Sequence, residues 1–178
     1  MNRRALSIGT TLLGVGILIG LAVVLLGSLW PSERARALGV AYLDLTGIGP
    51  GELREFNVRR GPIFAYRPTA QNWADLRAFS SQVREAGTER FNSRLGVFLY
   101  YGYSTHVGCR LIHRPKSHPD ISEYHPGWPG GYTDTCNGEL YDYAGRVVKG
   151  SPAKDTLYSV SIRNINGNVV QVDPSRAR

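Results

Sequence analysis

Two stretches of sequence decide how this chain folds: YGYSTHVGCRLIHR, residues 101–114, and GGYTDTCNGELYDYAGRVVKG, residues 130–150. The first contains His106 and Cys109, and the second contains Cys136, so each holds one of the chain's 2 cysteines. Cysteine and histidine bind transition metals, and two cysteines can also form a disulfide. The two stretches are therefore predicted to meet at a metal site, at a disulfide, or at a site derived from both.

Residues 1–30 are predicted to form a membrane anchor. Residues 5–30 contain no charged side chain, and at about 1.5 Å per residue such a helix exceeds the roughly 30 Å apolar core of a bilayer. No small-residue cleavage pattern follows, which favours an uncleaved span. Arg3 and Arg4 place the N-terminus in the cytoplasm and the remainder outside it. The same pair resembles a twin-arginine export signal, and plain flanking charge explains it equally well.

Composition argues against a nucleic-acid-binding protein. The net charge is +7, but the basic residues are scattered and no nucleic-acid-binding motif occurs. A basic exported domain beside an anionic membrane surface accounts for this charge. Outside the cytoplasm, two cysteines favour one disulfide, and closing the loop from Cys109 to Cys136 would contribute roughly 3 kcal/mol.

The rest of the chain has the pattern of an antiparallel β domain with one helix, residues 41–178, after a polar linker, residues 31–40. The helix is expected within residues 69–87, with Thr69 or Asn72 as its cap and Gly87 as its stop. Alternating or continuous apolar residues and turn residues predict the strands. These are a strand at residues 40–45, a hairpin at residues 53–68 that turns at Gly61 and Pro62, a strand at residues 95–101, strands around a turn within residues 138–150, and a hairpin at residues 156–172 that turns near Asn166 and Gly167.

The two stretches resemble the cluster-binding loops of Rieske iron–sulfur proteins, in particular the Rieske subunit of cytochrome bc complexes. That family's first loop reads C-T-H-x-G-C, and residues 104–109 read S-T-H-V-G-C. Its second loop reads C-P-C-H-G-S, then a variable residue, Tyr and Asp, and residues 134–142 read D-T-C-N-G-E-L-Y-D. The flanking GGY and GRVVKG, the N-terminal anchor and the first strands agree as well. The resemblance implies a Rieske-type antiparallel β domain with a two-loop subdomain at about residues 102–153.

The resemblance also implies which positions would hold a two-iron cluster, and most of these differ here. In the family, the first Cys of each loop binds one iron and the His of each loop binds the other, while the second Cys of each loop forms a disulfide. The ligand positions correspond to Ser104, His106, Asp134 and Asn137, and the disulfide positions to Cys109 and Cys136. Only His106 keeps the family's ligand. Because iron–sulfur clusters need thiolate or imidazole ligands, we predict no cofactor and no metal, with a two-iron two-sulfur cluster as the alternative.

Two neighbours of these positions carry further expectations. The family's second-loop Tyr donates a hydrogen bond to a cluster sulfur, so Tyr141 is expected to pack with its hydroxyl on water or backbone. Glu139 stands where the family has Ser, another donor to the cluster, and is expected to be a solvated charge on an exposed loop tip.

The segment of residues 110–129 is longer than the family's usual connection and, with His106, contains all 4 histidines. It is either a replacement metal site that uses imidazoles with Asp134, or a surface insertion that carries histidines. Tyr124, Trp128 and Tyr132 either contact a partner subunit or pack over the loops.

These observations predict a Rieske-like accessory or structural subunit of a quinol:cytochrome c oxidoreductase. It would lie in a bacterial cytoplasmic membrane with its head domain in the periplasm, and would contact cytochrome b, a cytochrome c-type subunit and lipid. The sequence contains no set of a nucleophile and a base that would indicate independent catalysis. The alternatives are a redox-active electron-transfer subunit with an atypical cluster, and a metal-binding or assembly protein that uses residues 110–129.

Overall fold

The computed structural model describes residues 3–29, 40–87 and 90–177. The chain divides into a unit of residues 1–39 and a unit of residues 40–178. The first unit contains helix α1 (Arg3–Leu29), whose large apolar side chains from Leu12 to Leu26 are 47–70% exposed. In the part of the chain that the structure describes, no helix is both long and apolar enough to cross a membrane. The predicted linker, apart from Val40, lies outside the described residues.

The second unit is an antiparallel β domain, as predicted. Its strands are β1 (Ala41–Asp44), β2 (Leu53–Val58), β3 (Gly61–Tyr66), β4 (Phe91–Asn92), β5 (Val97–Tyr101), β6 (Leu111–Arg114), β7 (Gly131–Asp134), β8 (Leu140–Asp142), β9 (Val160–Asn166) and β10 (Val169–Ala177). They form three sheets with the orders β1-β10-β9, β2-β3-β5-β4 and β6-β7-β8. The third sheet carries the two loops that the sequence singles out.

The two predicted hairpins are present, with one turn displaced. In β2–β3, Val58 pairs with Gly61, so the loop consists of Arg59 and Arg60, and the turn precedes the predicted Gly61 and Pro62. In β9–β10, Asn166 pairs with Val169, which leaves the turn close to its predicted place. The turn is displaced because Gly61 pairs with Val58 as the first residue of β3. Gly61 therefore belongs to the strand, and the turn falls on the two residues before it.

The predicted helix is α2 (Ala70–Ala78), and both suggested cap residues take part. The Asn72 N–H donates to Thr69 Oγ1 at 3.0 Å, and the Thr69 N–H donates to Asn72 Oδ1 at 2.9 Å. This reciprocal pair is a capping box. The helix continues as a 3₁₀ helix (Phe79–Gln82) and ends before Gly87.

The prediction of one helix in the head domain is wrong, because α3 (Pro119–Tyr124) lies in the long segment between the loops. Pro119 in its first turn fixes a helical φ, but 6 residues are too few to show a helical period. Of the strands expected within residues 138–150, only β8 forms a regular strand, and Val147 and Val148 make isolated bridges.

The continuous apolar run at residues 95–101 contains strand β5, and the run is apolar throughout because both faces of this strand are buried. Val97 and Leu99 pack in an aliphatic core with β1 and β10. Phe98 and Tyr100 point the other way, into an aromatic core shared with the two-loop sheet. Alternate side chains of a strand face opposite sides, so a strand between two cores must be apolar throughout.

The aromatic residues of the long segment mostly belong to the core. Trp128 and Tyr132 are 1% and 0% exposed and lie in buried clusters of the domain rather than over the loop tips, whereas Tyr124, at 77%, faces outward. The Trp128 ring also packs edge-on against Phe79.

A buried ion pair joins the two-loop sheet to α2. Arg146 donates to Asp142 Oδ2 from Nε at 2.8 Å and from Nη2 at 2.7 Å, and Nη2 also donates to the Leu76 carbonyl at 2.7 Å. Burial raises the pKa of Asp142 to about 6 and the charge of Arg146 opposes this, so the carboxyl is ionised at neutral pH. Each charge therefore depends on the other for compensation.

We expect Arg146→Met to destabilise the protein by about 3–5 kcal/mol, because it leaves a buried carboxylate without its cation. Urea unfolding of the full-length protein at pH 7.5, followed by tryptophan fluorescence, measures the loss. Arg54→Met is the matched control: the Arg54–Glu52 pair is half-exposed and should be worth at most about 1 kcal/mol. Equal losses in the two variants would contradict this assignment.

Candidate functional site

The two loops lie side by side at one end of the two-loop sheet. The first connects β5 to β6 and the second connects β7 to β8. A disulfide joins Cys109 to Cys136, with Cα atoms 6.1 Å apart, as the sequence predicts. Beside it, the Thr135 N–H of the second loop donates to the Arg110 carbonyl at 3.1 Å. The loops are therefore joined both covalently and by backbone hydrogen bonding.

Ser104, the first of the ligand positions implied by the resemblance, is engaged within its own loop. Its side chain is buried, and Oγ accepts a hydrogen bond from the Cys109 N–H at 3.1 Å. The Ser104 N–H in turn donates to the Cys109 carbonyl at 2.8 Å. The hydroxyl thus closes the first loop.

Asp134 and Asn137 are engaged in the same way in the second loop. Asp134 ends β7, is buried, and accepts through Oδ1 from the Glu139 N–H at 2.9 Å and the Asn137 N–H at 3.2 Å. The Asn137 amide, with its nitrogen facing the carboxylate, donates to both oxygens of Asp134. Gly138 completes the turn at φ 73°, in the left-handed region that favours glycine. The Asp134 carboxylate therefore organises the second loop.

Glu139 corrects an expectation: it is not a solvated charge but is 0% exposed, between the two loops. Its Oε2 accepts a hydrogen bond from the Tyr141 hydroxyl at 2.5 Å. Its Oε1 lies 3.6 Å from His106 Nδ1. Glutamate is almost never fully buried without a partner, and the partners here come from both loops.

Tyr141 connects Glu139 to the first loop. Its hydroxyl accepts from the Thr105 N–H at 3.0 Å while donating to Glu139. Burial and the carboxylate raise the pKa of Tyr141 well above its ordinary value, so the hydroxyl keeps its proton and remains a donor. Thr105 Oγ1 also donates to the Asp155 carbonyl at 2.6 Å, which attaches the loop after Lys149. The expectation of a water or backbone partner for Tyr141 omitted its main partner, Glu139.

His106 and Asn137 are exposed positions, whereas Ser104 and Asp134 are buried, and the His106 side chain is 33% accessible. The structure therefore places the four positions on adjoining loops but gives them separate tasks. Ser104 and the Asp134–Asn137 pair hold backbone, and His106 faces a buried carboxylate.

Among the described residues, no histidine of the long segment is grouped with Asp134. Within residues 3–29, 40–87 and 90–177, the one group of three potential metal-binding side chains is Cys109, Asp134 and Cys136, and its sulfurs form the disulfide. His113 instead lies 2.6 Å from the Tyr143 hydroxyl through Nε2, and burial lowers its pKa. Most of residues 110–129 is exposed, as the surface-insertion alternative expects.

Comparisons with known proteins agree with the loop pattern, although no family model matches the chain. The ubiquinol-cytochrome c reductase iron-sulfur subunit of Allochromatium vinosum is 28% identical over 189 residues, covering 99% of this chain and 90% of that protein. Cytochrome b-c1 complex subunit Rieske-3, mitochondrial, of Nicotiana tabacum is 28% identical over 128 residues, which cover 69% of this chain and 42% of that protein.

Among solved structures, a chain of the hyperthermophilic respiratory Complex III is 24% identical, with a TM-score of 0.50. The match covers 92% of this chain and 98% of that one and shows a common fold. The resemblance to the Rieske iron–sulfur subunits of cytochrome bc complexes, first indicated by the two loops, is thereby confirmed over nearly the whole chain.

Proposed function

We propose that this protein is a membrane-anchored, Rieske-fold subunit associated with a quinol:cytochrome c oxidoreductase, and that it serves an accessory or structural role without a two-iron two-sulfur cluster. The similarity to an iron–sulfur subunit over 90% of that subunit's length supports the association with such a complex. The accessory role rests on one observation: a buried carboxylate, Glu139, accepts the hydrogen bond of Tyr141 between the two loops.

The residues at the ligand positions do not fit a cluster. Two irons bridged by sulfide take thiolates or imidazoles as ligands. Here the Ser104 hydroxyl and the Asp134 carboxylate are hard oxygen donors already bound to backbone N–H groups, and the Asn137 amide is a poor donor. His106 alone has the right chemistry, and one imidazole does not complete the set for either iron. We therefore assign no electron-transfer step to the protein.

Glu139 also supports this proposal, because it stands at a position where the family has a hydrogen-bond donor to the cluster. In the family, the second-loop tyrosine donates to a cluster sulfur, and here Tyr141 donates to Glu139 Oε2. The carboxylate thus takes the acceptor role that the resemblance gives to the sulfur. Glu139 is fully buried and its Oε1 lies 3.6 Å from His106 Nδ1, so side chains of the two loops already contact one another there.

The membrane anchor is part of the proposal. Helix α1 (Arg3–Leu29) exposes large apolar side chains along residues 12–26, and a contiguous exposed apolar surface marks a membrane or protein contact. With Arg3 and Arg4 before it, we place the N-terminus in the bacterial cytoplasm and the head domain in the periplasm. A periplasmic head is consistent with its disulfide. The partners would be cytochrome b, a cytochrome c-type subunit and lipid.

The competing function is a redox-active subunit with an atypical cluster, which the name of the Allochromatium vinosum relative favours. Protein purified from its native host decides between the two. We expect iron and acid-labile sulfide far below one per chain and no paramagnetic signal on reduction. Two irons and two sulfides per chain with a reducible signal would contradict our proposal.

A donor-restoring variant is the matched control for that assay. Ser104→Cys, Asp134→Cys and Asn137→His, combined with Glu139→Ser, give the loops the family's ligands and remove the buried carboxylate. After reconstitution with iron and sulfide, we expect this variant to gain a cluster that the parent protein does not form, because thiolate and imidazole donors replace oxygen and amide. Equal iron uptake by both proteins would show that the ligand changes are not decisive.

The Glu139–Tyr141 bond is testable by stability. We expect Glu139→Ala to cost about 1–3 kcal/mol, because the buried Tyr141 hydroxyl loses its acceptor. A double-mutant cycle with Tyr141→Phe should give a coupling energy above about 0.5 kcal/mol in urea unfolding. Glu123→Gln, at an exposed position in α3, should change stability by less than about 0.5 kcal/mol. Additive losses at Glu139 and Tyr141 would show that their contact is not stabilising.

Anchoring and partnership are tested together with an affinity-tagged protein in its native host. We expect it in the membrane fraction, resistant to alkaline extraction, and in mild detergent we expect it to purify with cytochrome b. A variant lacking residues 1–39 should move to the periplasmic soluble fraction when given a cleavable export signal. Recovery of the full-length protein in the soluble fraction would refute the membrane anchor. Recovery from membranes without cytochrome b would refute the proposed partner.

A further inference from the structure

A cavity of about 370 Å³ lies beside the second loop, and the proposed function does not use it. It opens between α3 and the two-loop sheet, and its lining includes Arg114, His118, Ile121, Tyr124, His125 and Leu140. Its volume falls in the range of small-molecule sites, about 300–1,000 Å³. The long segment that the sequence leaves without a role therefore builds most of a pocket.

Arg114 is the arginine of this cavity, and the residues that the structure describes leave its guanidinium largely unpaired. Arg114 is half-buried at the end of β6, and the one hydrogen bond that its guanidinium makes to other described residues joins Nη1 to His118 Nε2 at 3.3 Å. A guanidinium has five N–H donors in a planar fork that matches a carboxylate. Most of these donors have no acceptor within residues 3–29, 40–87 and 90–177, although the charge is partly withdrawn from water.

His118 fixes the orientation of that guanidinium. Because arginine can only donate, His118 Nε2 accepts, and the imidazole proton lies on Nδ1. This nitrogen is buried and has no hydrogen-bond partner among the described residues. His118 thus acts as a hydrogen-bond acceptor that positions Arg114, while His125 adds a second imidazole to the lining.

We propose that the cavity binds a small organic monoanion, a carboxylate joined to an apolar or aromatic body. Arg114 would bind the carboxylate in a bidentate manner, and Ile121, Tyr124 and Leu140 would contact the apolar body. Asp120 also lines the cavity and disfavours a doubly charged anion such as phosphate. The lining thus offers one strong anion contact beside apolar surface.

Occupation of the cavity would be sensed at the second loop. Gly138 and Leu140 both line it, and they flank Glu139. The same turn holds Asp134 through the Glu139 N–H. A bound ligand would therefore touch the segment that carries the buried carboxylate. The inference rests on the cavity alone and does not require the proposed function.

The test is a titration of the full-length, ¹⁵N-labelled protein in detergent micelles, with benzoate as the probe and the amide signals of Gly138 and Leu140 as the readout. We expect saturable shifts with benzoate, and at least about tenfold weaker binding of neutral benzamide, because charge-assisted hydrogen bonds are the stronger ones. Inorganic phosphate should bind more weakly than benzoate.

The deciding variant is Arg114→Gln, which should weaken benzoate binding about 10- to 100-fold, the loss expected for hydrogen bonds to a charged group. Arg110→Gln is the matched control, since Arg110 is exposed and pairs with Glu55, and its affinity should stay within about twofold. Unchanged spectra elsewhere would show that Arg114→Gln is folded. No saturable shift, equal binding by Arg114→Gln, or tighter binding of phosphate than benzoate would each overturn the proposal.

Discussion

Two loops that extend from one sheet stay together only if something crosses between them, and this requirement shapes the whole end of the domain. The Cys109–Cys136 disulfide crosses near the tips. Behind the disulfide, the Tyr141 hydroxyl accepts a hydrogen bond from the Thr105 N–H and donates one to Glu139 Oε2. The covalent link restricts the unfolded chain, whereas the hydrogen bonds define one arrangement of the loops in the folded state. Both are needed to hold short, glycine-containing loops in place.

A buried carboxylate is costly, so the position of Glu139 needs a physical account. Removing an ionised group from water is unfavourable unless hydrogen bonds and opposite charge replace the lost hydration. The Tyr141 hydroxyl supplies a short bond at 2.5 Å, and the His106 ring lies 3.6 Å from the other oxygen. Glu139, Tyr141 and His106 stand at positions that the resemblance places around a cluster. Their polar network therefore lies between the two loops, where the family has its cluster.

The sequence correctly predicted those parts of the fold that depend on local patterns. The uninterrupted apolar run of β5, the capping box of α2 and the disulfide were all predictable, because strand alternation, cap chemistry and cysteine number are visible in one chain. The burial of Glu139 was not, because composition rules place glutamate outside and its partners Tyr141 and His106 are joined only by folding. Helix α3 was missed because it is short, and the Arg114 cavity because its walls come from separate segments.

The residues at the four positions that the resemblance assigns to cluster ligands are best understood as one set. Asp134 accepts two backbone N–H groups of its own turn, so restoring a cysteine there alone would remove the acceptors that close the second loop. Ser104 performs the same task for the first loop through the Cys109 N–H. A cluster would have to provide the cohesion that these oxygens now supply, and it would have to displace the buried carboxylate of Glu139. Single changes toward the family's ligands should therefore weaken the loops before any metal could stabilise them, because an unsatisfied buried N–H costs more than the original bond contributed. Because each single change would weaken the loops, the oxygen-containing side chains at these positions depend on one another.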